Sequence, residues 1–135
     1  MPVMPWSNLL SVGVRDIDDQ HRVLVDILNR LGDVVMGDVT EWNEKAVLAD
    51  LLQYTAQHFG FEERLMRKAG YAGVDAHVRE HREFILQIKA MTERFNSGDL
   101  PDAEELLVLV REWLTTHILG TDRALAQALN AQGIR

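Results

Sequence analysis

Between His58 and His81 the chain reads HFGFEERLMRKAGYAGVDAHVREH, and this stretch admits few folds. His58 stands four residues before Glu62, and His77 stands four before His81. An α-helix turns about 100° per residue, so side chains four apart lie one turn above the other on the same face. Each pair can therefore present two donor groups to one small object. The intervening KAGYAG places glycines at 70 and 73, where a turn between two antiparallel helices uses them. Two helices then face each other with imidazoles and a carboxylate between them, which is the geometry of a metal site.

The remaining sequence extends this helical reading in both directions. Prolines occur only at 2, 5 and 101, which leaves long uninterrupted segments. Val23, Leu24, Ile27, Leu28, Leu31, Val34 and Val35 recur at three- and four-residue spacing and predict an amphipathic helix over about 18–37. A second, over about 40–69, carries Val47, Leu48, Leu51, Leu52, Phe59, Leu65 and Met66, with Thr40 as its N-cap and Glu41 in its first turn. A third, over about 75–97, carries Phe84, Ile85, Ile88, Met91 and Phe95 to a turn at 96–99. Pro101 suits the first turn of a fourth, over about 101–131, with Leu106, Leu107, Val110, Leu114, Ile118 and Leu125. Residues 1–15 show no helical period and are expected to form an extended arm, with Trp6, Leu9, Leu10 and Val14 lying across the helices. The expected fold is all-α: one domain over 1–135, an up-down-up-down antiparallel four-helix bundle with an N-terminal arm.

Composition excludes several classes of partner. The net charge of −7 disfavours nucleic acid and anionic membrane, which both demand a basic face. No apolar run approaches the length of a membrane span, and no basic-then-apolar leader opens the chain. With no cysteine, nothing indicates an oxidising compartment, so a cytoplasmic location is expected and any metal must be held by nitrogen and oxygen.

The histidines can be tested for a common level. His21 lies about 16 residues before the end of its helix, and His58 about 18 after the start of the next. His81 lies about 16 before the end of the third helix, and His117 about 15 after the start of the fourth. At roughly 1.5 Å per residue, each antiparallel pair agrees to within a few ångströms. The second and third helices agree less well, by about five residues, which tilt and turn geometry must absorb. All five histidines thus fall in one layer. His77–His81 also fits the H-x-x-E-H pattern of certain zinc proteases, but that leaves His21, His58, Glu62 and His117 without a role. A ferritin-like site needs Glu-x-x-His pairs, and no histidine here has a glutamate three residues before it. An acid near His117 is also needed, and Asp122 is the nearest one after it, although five residues place it about 140° round an ideal helix. Gly120 between them is expected to permit a widened turn. Five imidazoles and two carboxylates are too many ligands for one ion and suit two, with both carboxylates bridging.

These residues resemble the bacteriohemerythrins, single-domain oxygen-binding proteins of the hemerythrin family, over nearly the whole chain. The resemblance rests on four runs. The arm and first helix match W-S-x-L-x-V-G-V-x-x-I-D-x-Q-H-x-x-L, with one extra residue between Ser7 and Val12. The others are H-F-x-x-E-E-x-x-M at 58–66, H-x-x-x-H-x-x-F at 77–84 and W-L-x-x-H-I-x-x-x-D at 113–122. The resemblance implies one iron held by His77, His81 and His117 and another by His21 and His58. It further implies that Glu62 and Asp122 bridge the irons together with a solvent-derived oxo or hydroxo group.

A count of these ligands fills six positions on the first iron and five on the second. The open position is where dioxygen is expected to bind end-on. An imidazole-rich site suits a stable ferrous pair, so reversible binding for storage, delivery or sensing is expected rather than enzymatic turnover. The rival reading is a diiron enzyme reducing peroxide or nitric oxide. Small anions are the expected ligands of the ferric state. The wall over the open position should be apolar, with Leu24, Phe59, Trp113, Leu114 and Ile118 as candidates, while Glu63 is either an acceptor behind a ligand or a surface residue.

Overall fold

Apolar residues spaced by three and four along each segment draw four helical stretches into an antiparallel bundle. The structure is a computed structural model and describes residues 3–37, 43–98 and 103–135. Helix α1 spans Arg15–Val35, α2 Glu44–Ala69, α3 Val74–Asn96 and α4 Ala103–Thr116. A wide turn at His117–Asp122 leads from α4 into α5, Arg123–Ala131, which continues the fourth helix. Among the described residues there is no strand. Helix α2 packs against both α1 and α3, and α1 against α4. No helix among the described residues is long and apolar enough to cross a membrane.

Buried side chains from every helix meet in one core, including Ile17, Leu24, Leu28, Leu48, Leu51, Phe84, Ile88, Leu106, Leu114 and Leu125. Val23, expected on the buried stripe of α1, is instead exposed, and Val25 is buried. Helix α2 begins at Glu44, capped by Asn43, whose side chain accepts from the Ala46 N–H at 2.8 Å. Thr40, Glu41 and Pro101 lie outside the described residues.

The turn from α2 to α3 fixes the level of the site. Gly70 adopts a left-handed conformation, φ +66°, and the Tyr71 N–H closes the helix end on the Met66 carbonyl at 2.9 Å. A Cβ at Gly73 would come within 2.9 Å of the Tyr71 ring, so only glycine lets α3 start there without displacing that ring.

The N-terminal segment is tied to the bundle by polar contacts as well as by packing. Asn29 clamps Met4 from both sides, accepting from its N–H at 2.8 Å and donating to its carbonyl at 3.0 Å. Asp18 in the first turn of α1 accepts from the Val12 N–H at 2.8 Å and from the Ser11 hydroxyl. The arm contains a short 3₁₀ turn, Asn8–Leu10, which buries Leu10 but rotates Leu9 outward to 81% exposure. Leu9 therefore does not lie across the bundle as expected. Met4, Val12 and Val14 are buried, and Trp6 is partly covered with the Arg22 guanidinium 5.0 Å above its ring.

Candidate metal centre

Each helix delivers its share of a buried polar layer: His21 from α1, His58 and Glu62 from α2, His77 and His81 from α3, and His117 and Asp122 from the wide turn. All seven are at most 2% exposed. The tilt needed to bring α2 and α3 to one level is met, since Glu62 Oε1 lies 3.4 Å from His77 Nε2 and 3.0 Å from His81 Nε2.

The five-residue step from His117 to Asp122 is resolved by the backbone. His117–Asp122 is a π-helical turn, in which bonding runs from i to i+5 and stacks residues five apart. Asp122 Oδ1 thereby comes to 3.1 Å from His117 Nε2. Gly120, expected to make this possible, has an ordinary backbone conformation and room for a side chain, since a Cβ there meets nothing within 4 Å. What accompanies the turn instead is a clasp across to α3, where the Thr121 hydroxyl meets the two Glu80 oxygens at 2.9 and 2.8 Å.

The donors sort into two overlapping sets. Glu62, His77, His81, His117 and Asp122 each offer an atom within 4.8 Å of all the others, and so do His21, His58, Glu62 and Asp122. Each carboxylate divides its oxygens between the sets. Oε2 of Glu62 faces His58 at 3.5 Å and His21 at 3.9 Å, while its Oε1 faces His77 and His81. Oδ2 of Asp122 faces His21 at 2.9 Å, and its Oδ1 faces His77 at 3.0 Å and His117.

This donor set fits a pair of metal ions better than it fits a network of hydrogen bonds. Both oxygens of Glu62 and of Asp122, and the Nε2 atoms of His21, His58 and His77, are buried without a directed hydrogen bond. Leaving so many polar groups unpaired is costly. His81 Nε2 and His117 Nε2 approach to 3.2 Å, while the Nδ1 of each ring faces a carboxylate, Glu63 at 3.5 Å and Glu80 at 3.4 Å. With its proton on Nδ1, each ring turns a lone pair inward, and the two lone pairs converge on one point. An octahedral ion with bonds of about 2.1 Å holds adjacent ligands about 3.0 Å apart, which is close to most of these separations.

Charge in the metal-free layer is distributed unevenly. Burial pushes His58 down to about 4, outweighing the pull of Glu62. Burial also opposes a proton on His77, but contacts with Asp122 and Glu62 prevail and raise it to about 9. His117 is raised for the same reason, chiefly by Asp122 against the effect of burial. Burial acts to raise both carboxyls, yet the surrounding imidazoles hold Glu62 below its usual range and Asp122 well below it. The layer thus keeps its two carboxylates charged and gathers protons on His77 and His117, which a cation would displace.

Aromatic rings pack around one half of the layer. Phe59 stacks on His81, centroids 3.7 Å apart and planes within 3°, and is only tilted against its neighbour His58 at 5.9 Å. Trp113 stacks on His117 at 4.3 Å, and Phe84 on Trp113 at 3.9 Å. Phe59 and Trp113 therefore cover the three-histidine set, not the two-histidine side where an open position is expected. Leu24, Leu114 and Ile118 are buried, and Trp113 is half-buried.

Three residues at the back of the histidines escaped the sequence reading: Gln20, whose Oε1 meets His58 Nδ1 at 2.5 Å, and the pair Glu80–Thr121 behind His117. Gln20 and Glu80 each precede a ligand candidate in sequence but serve a histidine on another helix. That pairing leaves no trace in local spacing.

Comparison with known proteins points the same way as the geometry. The model of the hemerythrin HHE cation-binding domain matches residues 12–129. A bacteriohemerythrin of Stenotrophomonas maltophilia (strain R551-3) is 35% identical over 131 residues, spanning 97% of this chain and 84% of that protein. A myohemerythrin of Riftia pachyptila is 30% identical over 117 residues, 87% of this chain and 86% of its own. A crystal structure of wild-type hemerythrin superposes with a TM-score of 0.85 at 30% identity, covering 94% of this chain and 98% of the other.

Proposed function

The chain belongs to the hemerythrin family, and from that premise we propose that it binds dioxygen reversibly at two non-haem iron ions. His77, His81 and His117 would hold one ion and His21 and His58 the other, with Glu62 and Asp122 common to both sets. The observation that carries this reading is the division of each carboxylate, one oxygen facing each histidine set. The three-histidine set offers five protein groups and the other only four, so an open position would fall beside His21 and His58. A ferrous pair would supply the two electrons, one from each ion, that such dioxygen binding requires.

The polypeptide's own contribution is to hold and to exclude. The acceptors Gln20 and Glu80 keep the Nδ1 protons of His58 and His117 in place and leave each Nε2 free to ligate. Buried Leu24, Leu114 and Ile118 line the interior and keep water and anions from the open position, while Phe59 and Trp113 hold the histidines of the filled one. Storage, delivery and sensing all draw on this one property.

The test is metal analysis joined to visible spectroscopy. Two irons per chain, one dioxygen taken up per pair after anaerobic reduction, and its release under vacuum are the expected results. Iron that is reoxidised irreversibly at each exposure, with turnover of peroxide or nitric oxide, would overturn oxygen carriage in favour of an enzyme.

A further inference from the structure

The two histidine sets are backed by unlike groups. Behind the three-histidine set stand two carboxylates, Glu80 at 3.4 Å from His117 Nδ1 and Glu63 at 3.5 Å from His81 Nδ1. Glu80 is 41% exposed, but its contact with Thr121 through both oxygens fixes its position. Behind the two-histidine set stands a neutral amide, Gln20 on His58, and among the described residues no carboxylate faces either outer Nδ1 there, whereas Nδ1 of His21 and of His77 are alike buried without a hydrogen bond. A carboxylate accepting the far N–H of an imidazole makes the ring a stronger base and a stronger ligand, and an uncharged amide does so less.

We propose that the two metal positions differ in affinity, that the three-histidine position fills first, and that Glu80, seconded by Glu63, sets this order by its charge. The proposal rests on the two-ion reading above. Three imidazoles against two already favour that position, and the carboxylates behind them widen the difference. They also neutralise part of the cation's charge on that side only. Loading in this order produces a half-filled protein whose ion sits away from the open position, so that a lone ion is not presented to dioxygen there.

Glu80 could instead matter only as the clasp that shapes the π-turn, and the choice of variants separates the two roles. Glu80→Gln keeps a hydrogen-bonding partner for Thr121 and removes the charge, whereas Gln20→Glu adds a charge behind His58. The metal-free protein is titrated anaerobically with Co²⁺ alone, followed by calorimetry and by cobalt visible absorption, with far-UV circular dichroism checking the fold of each variant. Wild type should bind two ions in two steps, the first tighter. Glu80→Gln should weaken the first step by about tenfold or more and leave the second in place, with Glu63→Gln acting in the same direction. Gln20→Glu should tighten the second step and bring the two together. Folded variants that leave both steps unmoved, or weaken both equally, would overturn the proposal while keeping the two-ion reading. A wild-type protein that binds a single Co²⁺ would overturn both.

Discussion

Stripping the metal should give this protein a stability maximum near neutral pH, and reloading it should abolish the alkaline side of that maximum. Two buried histidines of the same layer work in opposite directions. His77 titrates at about 9 in the folded protein against an ordinary value of 6.5. Its proton therefore stabilises the fold fully below pH 6.5, and that contribution is lost as pH rises toward 9. His58 titrates at about 4 against the same 6.5. Between those values the unfolded chain takes up the proton more readily, so stability falls as pH drops from 6.5 toward 4. Each displacement corresponds to on the order of 3 kcal/mol, a large part of a small domain's stability. His117, also raised, adds to the alkaline loss, and the depressed carboxyls of Glu62 and Asp122 add to the acid loss below their ordinary values. An ion on the Nε2 atoms leaves no site there for the His77 proton, so the loaded protein should lose nothing between pH 6.5 and 9. Urea unfolding at half-unit steps from pH 5 to 9, with and without metal, measures both curves. A metal-free protein as stable at pH 9 as at pH 6.5, or a loaded one that weakens in parallel with it, would refute this reasoning.

Three further outcomes follow from the same geometry. Glu62→Ala and His77→Ala should each lose metal and lower the melting temperature of the loaded protein, because both sets depend on Glu62 and the emptied layer buries unpaired groups; two irons retained in both variants would dismiss the ligand assignment. Gly120→Ala should keep full metal content and gain up to about 1 kcal/mol in chemical denaturation, since its Cβ meets nothing and alanine is the better helix former; loss of metal would mean that the glycine is needed for the π-turn after all. Leu114→Ala removes a side chain that is 1% exposed and should cost roughly 2–5 kcal/mol. It should leave both irons bound and speed conversion of the oxygenated protein to the ferric form; an unchanged rate, followed spectroscopically at equal iron content, would remove Leu114 from the wall of the site.

The sequence by itself determined what depends on a single helix. The three- and four-residue apolar spacing predicted four helices, and the four-residue steps from His58 to Glu62 and from His77 to His81 put those pairs on shared faces, because helical period is a local property of the backbone. The glycines at 70 and 73 marked the turn for the same local reason. Tertiary structure decided everything that depends on how one helix is rotated against the next. Asp122 reaches the layer only through a π-turn whose clasp, Thr121 on Glu80, joins two helices, so an ideal helix drawn from the sequence places it on the wrong face. Phe59 covers His81 on α3 and not His58 beside it, and Leu9 points outward because a 3₁₀ turn rotates it past the core that Leu10 enters. Gln20 and Glu80 each stand next to one histidine in the chain and support another across the bundle, a pairing set by packing between helices and carried by no spacing along them.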